Sequence, residues 1–177
     1  HGTFYELPAE NADGYAKIRP IASHNFRIND YASYRGMLVM TGIDPKKDKD
    51  NEHIIVSEDG KAAVWAGAID DLWSMGKPTG KGGPWKNTLV KAGEVSDPYL
   101  IGFYDKKNLT LSHNSQKDVT FTIEIDPTGN GKWVNYTTLT VKPGGKLAYE
   151  LKAPFQARWI RFSTDSDTNA TAWLEYK

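Results

Sequence analysis

Four groups of side chains in this sequence have types and spacings that can do chemistry. Asp70-Asp71 closes an apolar run. Paired carboxyl groups are what glycoside hydrolysis needs, facing the scissile bond at about 5–5.5 Å when retaining and wider when inverting. Neighbours on a strand point to opposite faces, so this pair supplies at most one of the two; the competing role is turn capping with an ion pair. His24 is the second candidate, in a polar stretch with Arg27, Asp30, Tyr31, Tyr34 and Arg35. An imidazole titrates near neutrality and serves as general acid or base, and an arginine beside it grips a sugar carboxylate through two parallel N–H groups. Satisfied hydrogen bonds within the sheet are the plainer explanation. Trp73, Lys77 and Trp85 flank or occupy a glycine-rich segment, and an exposed indole stacks on the apolar face of a sugar. Packing between two modules would use the same tryptophans. Trp159 and Trp173 form the fourth group, each on the polar phase of its strand.

The elements that must position these residues are strands. Val119, Phe121, Ile123 and Ile125 share one phase and Thr120, Thr122 and Glu124 the other, the alternation of a half-buried strand. It ends at Asp126-Pro127-Thr128-Gly129-Asn130-Gly131, where Pro presets φ and Gly supplies positive φ. Further strands are expected over 99–104, 108–113, 133–141, 146–152, 158–164 and 171–176. Seven short strands with regular turn signals predict an antiparallel β-sandwich over 96–177. Within it, Ile160 and Phe162 face opposite to Trp159 and Arg161, while Leu174 and Tyr176 face opposite to Trp173 and Glu175. The two indoles form either a sugar platform or the seam against the first half.

The first half, 1–95, is β-rich and less regular, with strands expected over 3–7, 27–30, 37–42, 53–57 and 62–66. Asp59-Gly60 is a hairpin signal between the last two. The charged run from Asp44 to Glu52 lacks the central glycine of a calcium loop and reads as solvated. Gly76 to Trp85 holds four Gly and two Pro in ten residues and reads as a linker, or as a loop lining a pocket. It is no phosphate loop, because the Lys-Ser/Thr ending and a following helix are missing.

Composition removes several classes of function. Twenty-two basic and 22 acidic residues give zero formal charge, so nothing draws the chain to nucleic acid or anionic membranes. No apolar run is long enough to span a bilayer as a helix. With no cysteine there are no disulfides or thiolate metal sites. Asn108, Asn135 and Asn169 begin N-x-Thr triplets, read as ordinary usage.

Gly2-Thr3-Phe4-Tyr5-Glu6-Leu7-Pro8, the stretch from Arg19 to Tyr31, and Tyr34-Arg35-Gly36-Met37-Leu38-Val39 resemble β-propeller proteins of gut Bacteroidetes encoded among polysaccharide-degrading enzymes. Ala68-Ile69-Asp70-Asp71-Leu72-Trp73 with Gly82-Gly83-Pro84-Trp85 is similar to the end of such a propeller, and 97–177 to the sandwich appended to it. The resemblance implies a secreted or periplasmic carbohydrate-active protein, with a glycoside hydrolase as parent and an oligo- or polysaccharide as partner. A blade takes about 40–50 residues and a ring at least four blades, so 1–95 holds roughly two. Either the chain is part of a longer propeller protein, or its first-half strands pack directly on the sandwich; the start at His1 favours the first. A non-catalytic carbohydrate-binding module is the second expectation, and a structural accessory domain the third. His1-Gly2 shares its terminal histidine with copper-dependent polysaccharide monooxygenases, with His24, His53 and His113 as available partners. Nothing downstream follows that family's pattern, so no metal or cofactor is expected.

Overall fold

The structure, a computed structural model, describes residues 2–47, 50–152 and 155–177. It is all-β, with antiparallel sheets and the short 3-10 turns Glu10–Ala12, Gly14–Lys17 and Ile69–Ser74. The chain divides into two compact units. One comprises His1–Phe4 and Ile21–Lys77, the other Tyr5–Pro20 and Pro78–Lys177. Strands β1 (Thr3–Glu6) and β2 (Arg19–Ser23) pair, and the chain passes between the units along both.

The smaller unit holds one four-stranded sheet, built from β3 (Tyr31–Tyr34), β4 (Met37–Ile43), β5 (Ile54–Val56) and β6 (Ala63–Gly67) in the order β3-β4-β6-β5. Arg35 and Gly36 turn β3 into β4 with φ of 51° and 82°, the positive pair whose twist suits a two-residue hairpin. The expected Asp59-Gly60 hairpin joins β5 to β6. Asp59 accepts from the Ser57 hydroxyl and the Lys61 amide, and Gly60 takes φ 69°. Met40, Ile43, Ala63, Trp65 and Leu72 form the core, with Phe4, Phe26, Ile28, Leu38, Ile54 and Met75 packed against it. One expectation changes here. Residues 27–30 are not a strand, because Phe26 and Ile28 turn into this core from an irregular segment; the regular strands are β2 and β3. Among the described residues of this unit β4 pairs with β6 and leaves β5 at the edge.

The larger unit carries β7 (Gly80–Val90), β8 (Tyr99–Leu100), β9 (Lys107–His113), β10 (Val119–Asp126), β11 (Val134–Val141), β12 (Lys146–Glu150), β13 (Trp159–Thr164) and β14 (Thr168–Tyr176). They form two four-stranded sheets, β11-β10-β13-β8 and β12-β9-β14-β7. The alternation read from the sequence is realised in β10, where Val119, Phe121 and Ile123 are fully buried and Thr120, Thr122 and Glu124 are not. Leu109 and Leu111 of β9, Phe121 and Ile123 of β10, Ile160 and Phe162 of β13, and Ala172 and Leu174 of β14 belong to one apolar cluster, so both sheets contribute to a single core. The turn after β10 closes on the buried carboxylate of Asp126. It accepts from the amides of Thr128, Gly129, Asn130 and Gly131 at 2.7–3.3 Å, which offsets the cost of its burial.

The glycine-rich segment is not a linker beyond Gly80. It is the first half of β7, an edge strand paired with β14, and an edge tolerates Pro84 because a missing amide there breaks no ladder. Its glycines serve close approach. A Cβ on Gly82 would lie 1.8 Å from the Tyr99 hydroxyl, and one on Gly83 would lie 2.0 Å from the Ala172 carbonyl oxygen.

Candidate functional site

The outward side of sheet β12-β9-β14-β7 gathers polar side chains around one indole. Along β14 every second residue is buried, which leaves Asn169, Thr171, Trp173 and Glu175 on the other side. Antiparallel register then fixes three rows. Ala148, Thr110 and half-buried Trp173 lie across β12, β9 and β14 in the middle row. Lys146, Ser112 and Thr171 make the row on one side, and Thr171 Oγ1 accepts from the Asn87 amide of β7 at 2.9 Å. Glu150, Asn108, Glu175 and Lys81 make the row on the other. The neighbours of the indole across the sheet are small. Thr110 of β9 lies on one side with Ala148 of β12 beyond it, and on the other side Gly83 of β7 comes so close that a Cβ there would sit 3.0 Å from Trp173 Cα. The Lys86 ammonium lies 5.1 Å from the centroid of the ring. Such a surface offers a stacking face with hydroxyl, amide and charged groups within reach.

Trp159 does not share this face. Although β13 and β14 are consecutive, they belong to different sheets. Trp159 is also buried: Tyr15 stacks on it at 5.9 Å between centroids, and its indole N–H donates to the Ala16 carbonyl at 3.0 Å. The paired platform expected from strand phase therefore reduces to Trp173 alone. Trp85 is corrected as well. It points into the core against Phe162, 6.2 Å between ring centroids, and offers no stacking surface. Lys86, its neighbour, carries no mark in the sequence, since the irregular pairing of β7 with β14 hides its phase.

In the smaller unit each catalytic candidate has its own surroundings. Asp70 and Asp71 lie on the 3-10 turn Ile69–Ser74, not at a strand end, and Asp70 is exposed. Asp71 Oδ2 accepts from the Ala68 amide at 2.6 Å and lies 3.9 Å from His53 Nδ1. His53 Nδ1 is 3.2 Å from the Ala66 carbonyl, its ring sits on Trp65 at 5.0 Å, and a Cβ on Gly67 would crowd both Asp71 and His53 at 2.8 Å. This is the capping role, with an imidazole beside the carboxylate. His24 lies between Phe4 and Phe26, with ring centroids at 5.0 and 5.7 Å, and its Nδ1 accepts from the Phe26 amide at 3.1 Å. Burial lowers its pKa below the ordinary value, which favours the neutral ring. Tyr34 and Arg35 meet at the β3–β4 hairpin, the guanidinium 5.3 Å from the centre of the phenol ring. Arg27, Trp73 and Lys77 are exposed.

His1 lies outside the described residues. His113, one partner it was given, is buried, with Nε2 2.8 Å from the Val141 carbonyl and Nδ1 accepting from the Ser115 amide. Among the described residues no three His, Asp or Glu side chains gather closely enough to hold a metal ion, and no helix is long and apolar enough to cross a membrane. No family model and no curated protein matches the chain.

Proposed function

We propose that the chain is a carbohydrate-binding β-protein, its larger unit a β-sandwich of the two four-stranded sheets, with the Trp173 face as its ligand surface. The single observation that carries the reading is a half-buried indole, topped by an ammonium group, in the middle row of a largely polar sheet face. A sugar ring stacks its C–H face on such an indole while its hydroxyls find Asn108, Thr110, Ser112 and Thr171. The sandwich arrangement is supported by the one core to which both sheets contribute. The resemblance to polysaccharide-utilisation proteins points to the same ligand class and to a secreted or periplasmic setting.

Binding is favoured over hydrolysis because one of the two carboxylates proposed for catalysis is engaged and the imidazole is packed away. Asp71 caps a turn, Asp70 is exposed on it, and His24 is packed between two phenyl rings. Affinity electrophoresis through gels of plant and host polysaccharides tests the proposal. Trp173→Ala is expected to weaken retention about tenfold in affinity while the melting temperature changes little. Unchanged retention by that variant, or no retention of the parent protein on any glycan, removes the reading.

A further inference from the structure

We infer that the Trp173 face selects glycans built from carboxylated sugars, with Lys86 as the residue that sets the selection. The inference rests on the carbohydrate-binding reading above and names the class of sugar it takes.

The Lys86 ammonium is held over the Trp173 ring, 5.1 Å from the centroid, on the surface where a sugar would stack. A ligand that stacks on this ring must displace the ammonium. A neutral sugar offers it only hydroxyl acceptors in return, and the cation–π contact is lost. A uronic acid replaces that contact with a charge-assisted bond between the ammonium and its own carboxylate. Two ligands of the same shape therefore differ in affinity chiefly through Lys86, a difference that comes both from penalising the neutral one and from attracting the acidic one.

The rows on either side orient the ligand. Glu175 lies opposite Lys81 in the β14–β7 register, and Glu150 ends the same row, so that side of the indole carries both acidic groups of the face. On the other side Lys146 shares its row with Ser112 and Thr171, and Thr171 bonds to Asn87, the residue after Lys86. Lys86 and Lys146 are exposed, and among the described residues no carboxylate stands within ion-pair distance of Lys86. A carboxylate on the stacked sugar is thus drawn to the Lys86–Lys146 side and repelled from Glu150 and Glu175.

The test compares homogalacturonan in de-esterified and methyl-esterified forms, alginate and hyaluronate with neutral galactan, xyloglucan and mannan, by affinity electrophoresis and calorimetry at two salt concentrations. The protein is expected to bind at least one carboxylated polymer at least tenfold more tightly than any neutral one, with added salt weakening it. Lys86→Gln is expected to lose most of that preference and to bind neutral glycans better than the parent does, because the ring is uncovered. Trp173→Ala is expected to lose both. If the parent binds a neutral glycan through Trp173 and Lys86→Gln leaves the preference unchanged, selection by Lys86 is overturned while the carbohydrate reading stands. If no polymer binds, both fall. Lys86→Arg, which keeps the charge, separates the two roles: preference retained supports a charge effect, and preference lost with the fold intact overturns it.

Discussion

The two units spend similar β-structure on different amounts of interior. In the larger one, β9, β10 and β14 each alternate between a buried and a less buried face, and their apolar side chains join those of β13 in one cluster. In the smaller one β3 is exposed at all four positions, and a core of five buried side chains centres on Trp65. Strand pairing is common to both, so pairing alone does not make a robust unit. A sheet face buried along its whole length does, since each covered side chain adds its own increment of burial. The smaller unit also ends in two open edges, with Tyr31 and Tyr34 on one and Ile55 and Val56 on the other, all exposed.

The largest expected effect probes the glycines of each unit. Gly83→Ala forces a Cβ against the Ala172 carbonyl and is expected to cost about 3 kcal/mol or more. Gly60→Ala meets no atom within 4 Å, pays only for its positive φ of 69°, and is expected to cost about 1 kcal/mol. Urea denaturation followed by hydrogen exchange resolves the two; equal costs would mean that β7 is not a tightly paired strand.

Acid offers a gentler comparison. His24 has a folded pKa lowered by burial, so between that value and about 6.5 the unfolded chain binds more protons than the folded one. The stability His24 contributes is complete above about pH 6.5 and drains as the pH falls through the folded value. In the larger unit Asp167 is held below the usual carboxylate range by the Lys91 ammonium and the Ala92 amide. Its contribution is present above about pH 3.9 and is lost only below it. Protection factors of the β4 and β6 amides, corrected for the slower intrinsic exchange in acid, are therefore expected to fall between pH 7 and 5 while those of β9 and β14 hold, and His24→Leu flattens the difference. A parallel loss of protection in both units would break the contrast.

The strands of the larger unit were legible because their period of two reports a real boundary between core and water, as at Phe121 beside Thr122. What stayed hidden depends on distant partners. Gly82 and Gly83 carry no local mark that separates close packing from flexibility, and the atoms that require them belong to Tyr99 and Ala172. Trp159 has the phase of an exposed residue, but its cover comes from the Tyr15–Ala16 segment, with Ala16 143 residues away in sequence. β3 lacked a pattern to read, since a strand exposed on both faces has no reason to alternate. Among the candidate site residues, Trp173 was correctly placed on the polar phase, while the assignment of β13 and β14 to separate sheets lies beyond what phase can express.

The Asp126 turn also bears on how the molecule ages. Asn-Gly pairs deamidate readily, because the glycine amide nitrogen attacks the asparagine side chain to form a succinimide. That attack needs the nitrogen to lose its proton and swing toward the side-chain carbon. Here the Gly131 N–H is bound at 2.7 Å to the Asp126 carboxylate, which opposes both, and the Asn130 side-chain oxygen is itself bound to the Lys132 amide. Asn130 is exposed, yet its chemical lifetime is set by a buried neighbour. Isoaspartate at position 130 is expected to accumulate several-fold faster in Asp126→Ala than in the parent, read by peptide mapping after prolonged incubation at mildly alkaline pH.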